Sequence, residues 1–429
     1  MNAFDWKSYV SKYPDLQKAG INTNQKAWKH WITYGKKEGR TYQNNKLNDD
    51  TNIINIIYQV DSTSKYPYNT GIQRLVRLLG KYLDQKYNIY LVKFDNKSLR
   101  FVDINDSERK WMENFNGIPF KYKYLDMSVP NKWLLNAEIC YDLPSVKPMF
   151  DVARLYNMKI ATIFYDDIQY KMNNNWSPND YNLFNLFIQH ILEADLIFPI
   201  SLYSYKQLLY HVNKININNT QTRKIVPCVL PGEFPGLSRN YTYNFSFSPP
   251  CDKYRILCVG IVNLRKNQIK LLQAINTLKN KYNIEVILVG PIVKTDKYYP
   301  EILHLMKSNK IIHYDNVITD DELRNLYLSS HLTVFPSIEE GFGLPILESL
   351  WNCRPCICMN YGAMDEIATS GCLKIDCNNA DQIAITIDKF LSNEDLRKKL
   401  INEIINIKFR TWTEYADDIM KNIISFNNF

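Results

Sequence analysis

The densest group of residues able to do chemistry is FPSIEEGFGLPILESL, residues 335–350. Two acids, Glu340 and Glu348, bracket a turn that holds Gly341, Gly343 and Pro345. An apolar run ends at Phe335, the glycines free the backbone, and Pro345 fits the first position of a helix. The turn therefore aims the unpaired N–H groups of a helix start at the space outside a strand's C-terminal end. Open α/β sheets bind ligands there, and a helix start favours anions. Two carboxylates beside an anion site suit a ligand that carries hydroxyls as well as phosphate, as a sugar nucleotide does. Either glutamate alone reads as a surface acid; the whole segment reads as a site.

The elements around it must place that turn at a sheet edge. Residues 53–60 form a near-continuous apolar run, as expected of a strand buried on both faces. A helical pattern opens at Gly71 and runs to residue 83. Further strands are expected at 88–94, 159–164, 195–200 and 224–230, with helices at 181–193 and 201–212, the latter capped by Ser201. A second alternation predicts strands at 255–259, 285–289, 311–314, 332–335 and 355–359. Helices are expected between them at 268–281, 299–308, 320–329 and 345–352. Such alternation implies parallel sheets wrapped by helices. The expected organisation is an N-terminal helical segment (1–46), a first Rossmann-like domain (50–230), a Pro- and Gly-rich linker (231–253), a second Rossmann-like domain (254–410) and a C-terminal helix (411–429). Residues 381–428 read as helices that finish the second domain. In the N-terminal segment, Trp28, Trp31 and Ile32 fall on one helical face, and His30 beside them reads as satisfied or exposed.

Composition bounds the function. The 429 residues suffice for two domains, and 45% hydrophobic against 22% charged residues is a globular balance. The formal net charge of +8 contains no run of five or six Lys or Arg. It reads as a solvated surface with a mild preference for anionic partners, and it offers no basic stripe for nucleic acid. The polar N-terminus MNAFDWKSYV lacks the apolar core of a signal peptide, and no 18-residue apolar run is present. With nine Cys, an odd number, these features point to a reducing, cytoplasmic setting without a membrane span. Peripheral contact with a membrane stays open. Cys356 and Cys358 read as small hydrophobes in a buried strand rather than as zinc ligands.

The acid pair in EGFGLPILE resembles the E-x7-E signature of the retaining GT-B glycosyltransferases of family GT4. The resemblance covers roughly residues 53–428 and implies two Rossmann-like domains facing a cleft. Glu340 would touch the donor sugar's hydroxyls and Glu348 the ribose, while the backbone of Phe342, Gly343 and Leu344 would hold sugar and phosphate oxygens. CVGIVNLRKNQIKLL (258–272) resembles the family's VGxxxxRKN element, which brings in Gly260 and gives Arg265 and Lys266 the diphosphate. A cationic pair there stabilises charge that grows on the leaving group; a basic pair at a helix start is equally an ordinary feature. Val317 would abut the base or serve as plain core. Glu366, in YGAMDEIA, is a second-rank candidate. DSTSKYPYNTGIQRLVRLL (61–79) resembles a segment of a TGIQR-containing subgroup, where Gly71 would admit a phosphate or sugar. ATIFYDDIQYK (161–171) is similar to the family's strand–loop, with Tyr165 where His is usual and Gln169 where Pro is usual. Asp166 there would orient the acceptor hydroxyl, or cap a loop.

The resemblance implies transfer of a hexose, with mannose preferred, from a GDP- or UDP-linked sugar to a glycan or other hydroxyl, with retention, without a metal and without a cofactor. Alternatives are a glycan-binding protein or pseudo-enzyme on this fold, or a nucleotide-sugar epimerase. The N-terminal segment resembles one carried by glycan-linked proteins that include transferases of large DNA viruses. The Asn-, Lys- and Ile-rich composition fits such an origin, which would place the protein in a host cytoplasm or a virion.

Overall fold

The computed structural model describes residues 6–35, 38, 40, 53–113, 119–138, 143–172, 178–215, 224–245, 253–316 and 318–427. Its strands are β1 (Asn55–Gln59), β2 (Asn88–Asp95), β3 (Arg100–Asp103), β4 (Lys132–Asn136), β5 (Lys159–Phe164), β6 (Leu196–Pro199) and β7 (Lys224–Ile225) in the first half. In the second half they are β8 (Tyr254–Val259), β9 (Ile284–Val289), β10 (Ile311–Tyr314), β11 (Leu332–Phe335), β12 (Cys356–Met359) and β13 (Cys372–Ile375). The first sheet runs β3-β2-β1-β4-β5-β6-β7 and the second β10-β9-β8-β11-β12-β13. Every pairing is parallel except β2 with β3.

Both sheets reverse their winding beside their first strand, between β1 and β4 and between β8 and β11. Loops leaving such a pair diverge, and the crevice they open is where these sheets bind ligands. In the second sheet that crevice receives Gly260 after β8 and the Phe335–Leu344 turn after β11. β1, β9, β11 and β12 are buried along their whole length, which explains their unbroken apolar runs.

The strands at 159–164, 311–314 and 332–335 and the helix Tyr299–Ser308 have the expected limits. Three strands were not anticipated: β3, β4 and β13. β4 matters most, because it lies between β1 and β5 at the centre of the first sheet. The helix at the turn begins at Leu344, so Pro345 is its second residue rather than its first. Cys356 and Cys358 are buried in β12, and the seven described cysteines are free thiols.

Two segments join the halves. Within the expected linker, Asn240 N–H donates to the Trp351 carbonyl (3.1 Å), and the Tyr243 hydroxyl donates to the His331 carbonyl (2.8 Å). The C-terminal helix Trp412–Asn427 leaves the second half and packs on the helix Gly71–Lys86 of the first. Lys86 Nζ meets Asp417 Oδ1 at 2.7 Å, and Trp133 Nε1 donates to Asn427 Oδ1 at 3.3 Å. The chain thus crosses between halves twice. Among the described residues no helix is long and apolar enough to cross a membrane.

Candidate active site

Glu340 lies five residues beyond β11, almost fully buried. Its Oε1 sits 2.7 Å from Arg265 Nη1 and 2.6 Å from Lys266 Nζ, and it accepts a hydrogen bond from the Ser337 hydroxyl at 2.5 Å. Burial alone would raise this carboxyl. Lys266 and Arg265 outweigh burial and hold it below the usual glutamate range. The same burial depresses Lys266, against the pull of Glu340. Lys266 Nζ lies 4.7 Å from the centre of the Phe335 ring and its stem packs over Gly260. Arg265 Nη1 also donates to the Glu339 carbonyl at 2.8 Å. Loops from β8 and β11 therefore converge on one ionised acid with two cations.

The turn that follows is built for close approach. Gly343 has φ +123°, a conformation that disfavours side chains. At Gly341 an added Cβ would lie 2.7 Å from both Asp166 Oδ2 and the Tyr165 carbonyl. Tyr165 and Asp166 follow β5 of the first half, so this glycine lets the two halves touch. Ser201 Oγ donates to the Gly341 carbonyl at 2.8 Å from the same side. Gly341→Ala is expected to force the halves apart, lowering the melting temperature and any activity together. Thermal unfolding and an activity assay on the purified variant check this, and an unchanged pair of values would contradict it.

Asp166 Oδ1 accepts from the Ile168 N–H at 3.1 Å. Burial is the main cause that pushes its carboxyl up to about 6, with Glu340 adding and Arg265 opposing. The Tyr165 hydroxyl turns inward and donates to the Ala137 carbonyl at 2.6 Å, so it does not stand in the cleft. Gln169 is exposed.

Glu348 is buried in the helix Leu344–Trp351. Its Oε1 is held by Arg74 Nη1, and its Oε2 accepts from the Tyr327 hydroxyl at 2.9 Å. Arg74 Nη2 reaches Asp320 Oδ1 at 2.8 Å, and its guanidinium lies 4.8 Å from the Phe234 ring centre. Arg74 belongs to the helix Gly71–Lys86, whose first residue, Gly71, faces Leu344 across the crevice. The TGIQR segment therefore supplies two parts, and the sequence reading singled out only its glycine.

The structure thus brings Arg265, Lys266, Glu340 and Asp166 together, with Phe342, Gly343 and Leu344 in the adjoining turn and Gly260 beneath Lys266. Glu366 stands apart from that group. Its carboxylate accepts from the N–H groups of Leu202 (2.9 Å) and Tyr203 (2.8 Å), capping the helix Leu202–Ile215 of the first half. Val317 lies outside the described residues.

One further acid escaped the sequence reading. Glu138 follows β4 at the first sheet's own winding reversal and accepts from the N–H groups of Ser62 (2.7 Å) and Thr63 (2.5 Å). Burial pushes its carboxyl up to about 7. Arg77 binds the same loop through the carbonyls of Thr63 and Tyr68. The two residues fix the stretch that leads to Gly71.

Residues 242–406 match the model of the family described as glycosyl transferases group 1. That segment holds Gly260, Arg265, Lys266, Glu340, Glu348 and Glu366. The chain is 30% identical over 158 residues to the O-antigen chain mannosyltransferase B of Escherichia coli, a match covering 35% of this chain and 42% of that protein. It is 26% identical over 169 residues to the serotype-specific mannosyltransferase WbdA of Escherichia coli, covering 39% of this chain and 20% of that protein. The chain thus spans less than half the length of these relatives. Among solved structures, Anabaena Alr3699/HepE in complex with UDP and glucose superposes with a TM-score of 0.59 at 12% identity, covering 87% of this chain and all of that one. An α,α-trehalose 6-phosphate synthase from Burkholderia multivorans gives 0.53 at 12% identity, covering 71% and 73%. The fold is GT-B: two Rossmann-like sheets facing a crevice, with a small helical segment at the N-terminus.

Proposed function

We propose that this protein is a retaining glycosyltransferase that moves a hexose from a nucleotide diphosphate sugar to a hydroxyl of a glycan or other acceptor. The observation that carries the proposal is Glu340, kept ionised by Lys266 and Arg265 at the second sheet's winding reversal. In this reading Glu340 accepts hydrogen bonds from the donor sugar's hydroxyls. Lys266 and Arg265 neutralise the diphosphate as the bond to the anomeric carbon breaks. The backbone N–H groups of Phe342 to Leu344 hold phosphate and sugar oxygens at the helix start. Glu348 takes the ribose hydroxyls, for which Arg74 gives up Oε1. Asp166 orients the acceptor. The acceptor oxygen bonds to the anomeric carbon on the face the phosphate leaves, and its proton passes to the leaving phosphate oxygen. No metal or cofactor enters this scheme, and the setting is cytoplasmic. Mannose from GDP is the preferred donor, supported by the names of the relatives.

The test is incubation with GDP-mannose, UDP-glucose and dTDP-rhamnose and a panel of sugar acceptors, with the product's anomeric configuration read by NMR. The expected result is nucleotide diphosphate release, an α-linked product from an α-linked donor, and no effect of chelator. An inverted product overturns retention, and loss of activity on chelation with rescue by Mn²⁺ overturns metal independence. Donor epimerised without an acceptor would indicate the epimerase instead.

Asp166 gives the reading a pH signature. With its carboxyl near 6, kcat/KM should fall as pH drops through that value, and Asp166→Asn should remove this limb. Stability should run the other way. A carboxyl raised by folding disfavours the ionised folded state, so this group's contribution is present at low pH and lost as pH rises through about 6. A pH–rate profile with no limb near 6 in the wild type would count against Asp166.

A further inference from the structure

Residues 1–46 contain nine Lys and Arg against three Asp and Glu. About a tenth of the chain thus carries an excess of six positive charges out of a total of +8. The charge that shows no basic run is nevertheless concentrated at one end. Two of the three acids, Asp15 and Glu38, share one partner, Arg40, at 2.7 and 2.5 Å.

This segment also folds around its own small core. Tyr9, Val10, Leu16 and Ala27 are buried together, with Trp31 packed edge-on against Tyr9 at 5.5 Å between ring centres. The Tyr9 hydroxyl hydrogen-bonds His30 Nδ1 at 2.9 Å. Gly35 lies so close under Tyr9 and Trp31 that a side chain there would collide with both. The core takes the Ala27–Trp31 side of the helix Asn24–His30 and its continuation. The expected single face of Trp28, Trp31 and Ile32 is therefore split: Trp31 turns inward, while Trp28, Ile32 and Tyr34 are 45%, 47% and 57% exposed. Lys26 and Lys29 are exposed in the same helix.

We infer that this segment is a docking module for an anionic lipid bilayer. Trp and Tyr settle at the boundary between headgroups and acyl chains, and the clustered lysines are drawn to a negative membrane surface. A nucleic acid would answer the charge but not the Ile32 and Trp28 pair. A neutral glycan would answer the aromatic rings but not six excess charges. An anionic bilayer answers both, and the inference stands independently of the transfer reaction.

The test is sedimentation of the full chain with vesicles of phosphatidylcholine alone or mixed with phosphatidylglycerol. The module should bind the mixed vesicles at least about ten-fold more strongly, and added salt should weaken that binding. Trp28→Ser/Ile32→Ser and Lys26→Glu/Lys29→Glu alter exposed positions. Each should lower partitioning by roughly ten-fold or more with the circular dichroism spectrum unchanged. No binding to anionic vesicles, equal binding to neutral ones, or binding that survives both double variants overturns the inference. Capture on RNA or on a soluble glycan through these residues, without vesicle binding, overturns it as well.

Discussion

Lys266→Met is expected to lower kcat by about two to three powers of ten while leaving the protein folded. An oriented donor lost from a site that stabilises developing charge costs roughly 10²–10³ in kcat. The Lys266 side chain is 13% exposed, its amine 2.6 Å from Glu340, so little solvent can replace it. The fold should survive, because Glu340 keeps Arg265 at 2.7 Å and the Ser337 hydroxyl at 2.5 Å. Methionine also retains the stem that packs over Gly260. Steady-state kinetics with the preferred donor check the expectation. Lys398→Met, at an exposed lysine beside Glu394, is the control and should behave as wild type. A Lys266→Met enzyme within three-fold (roughly 0.6 kcal/mol) of the wild type would contradict the role assigned to the pair.

Glu340→Gln should be more damaging, and in two separable ways. It leaves two largely shielded cations, Arg265 and Lys266, 23% and 13% exposed, facing a neutral amide. Breaking a buried charge pair from one side costs about 3–5 kcal/mol. The melting temperature should therefore fall by roughly 10 °C. Transfer should be undetectable if, as proposed, Glu340 is the charged acceptor of the donor sugar's hydroxyls. Glu340→Gln combined with Lys266→Met should be less destabilised than the sum of the two, since the second change removes one stranded charge. Differential scanning calorimetry of the three variants measures this coupling, and simple additivity would contradict it. The wild-type pair should also resist acid. Glu340 is held below the usual range, so its stabilisation is complete above the unfolded pKa and is lost only as pH falls through the lower folded value.

How much of this was legible in the sequence depended on distance along the chain. The turn after β11 was readable because its parts are local: a strand end, Gly341, Gly343, Pro345, Glu340 and Glu348 within sixteen residues. The strands at 311–314 and 332–335 were readable because buried strands make apolar runs with abrupt ends. β4 was not, since KWLLN is five residues and a short apolar run does not declare its type. Missing β4 hid Glu138, whose meaning comes from standing after that strand. Arg74 stands within TGIQR, yet an arginine in a helix is ordinarily solvated. Its contact with Glu348 spans 274 positions, and no periodicity encodes that. The helix Trp412–Asn427 shows an apolar face but no mark of which sheet that face will meet. Trp28 and Trp31 likewise share a spacing, and only the Tyr9 core decides which one turns inward.

The proposed transfer reaction requires the crevice between β8 and β11 to be a nucleotide diphosphate site. Isothermal titration calorimetry of GDP and UDP against the wild type and against Lys266→Met tests it directly. The prediction is one saturable site for at least one of the two nucleotides, weakened by about ten-fold or more in the variant. Binding of neither nucleotide, or equal affinity in the two proteins, would contradict it.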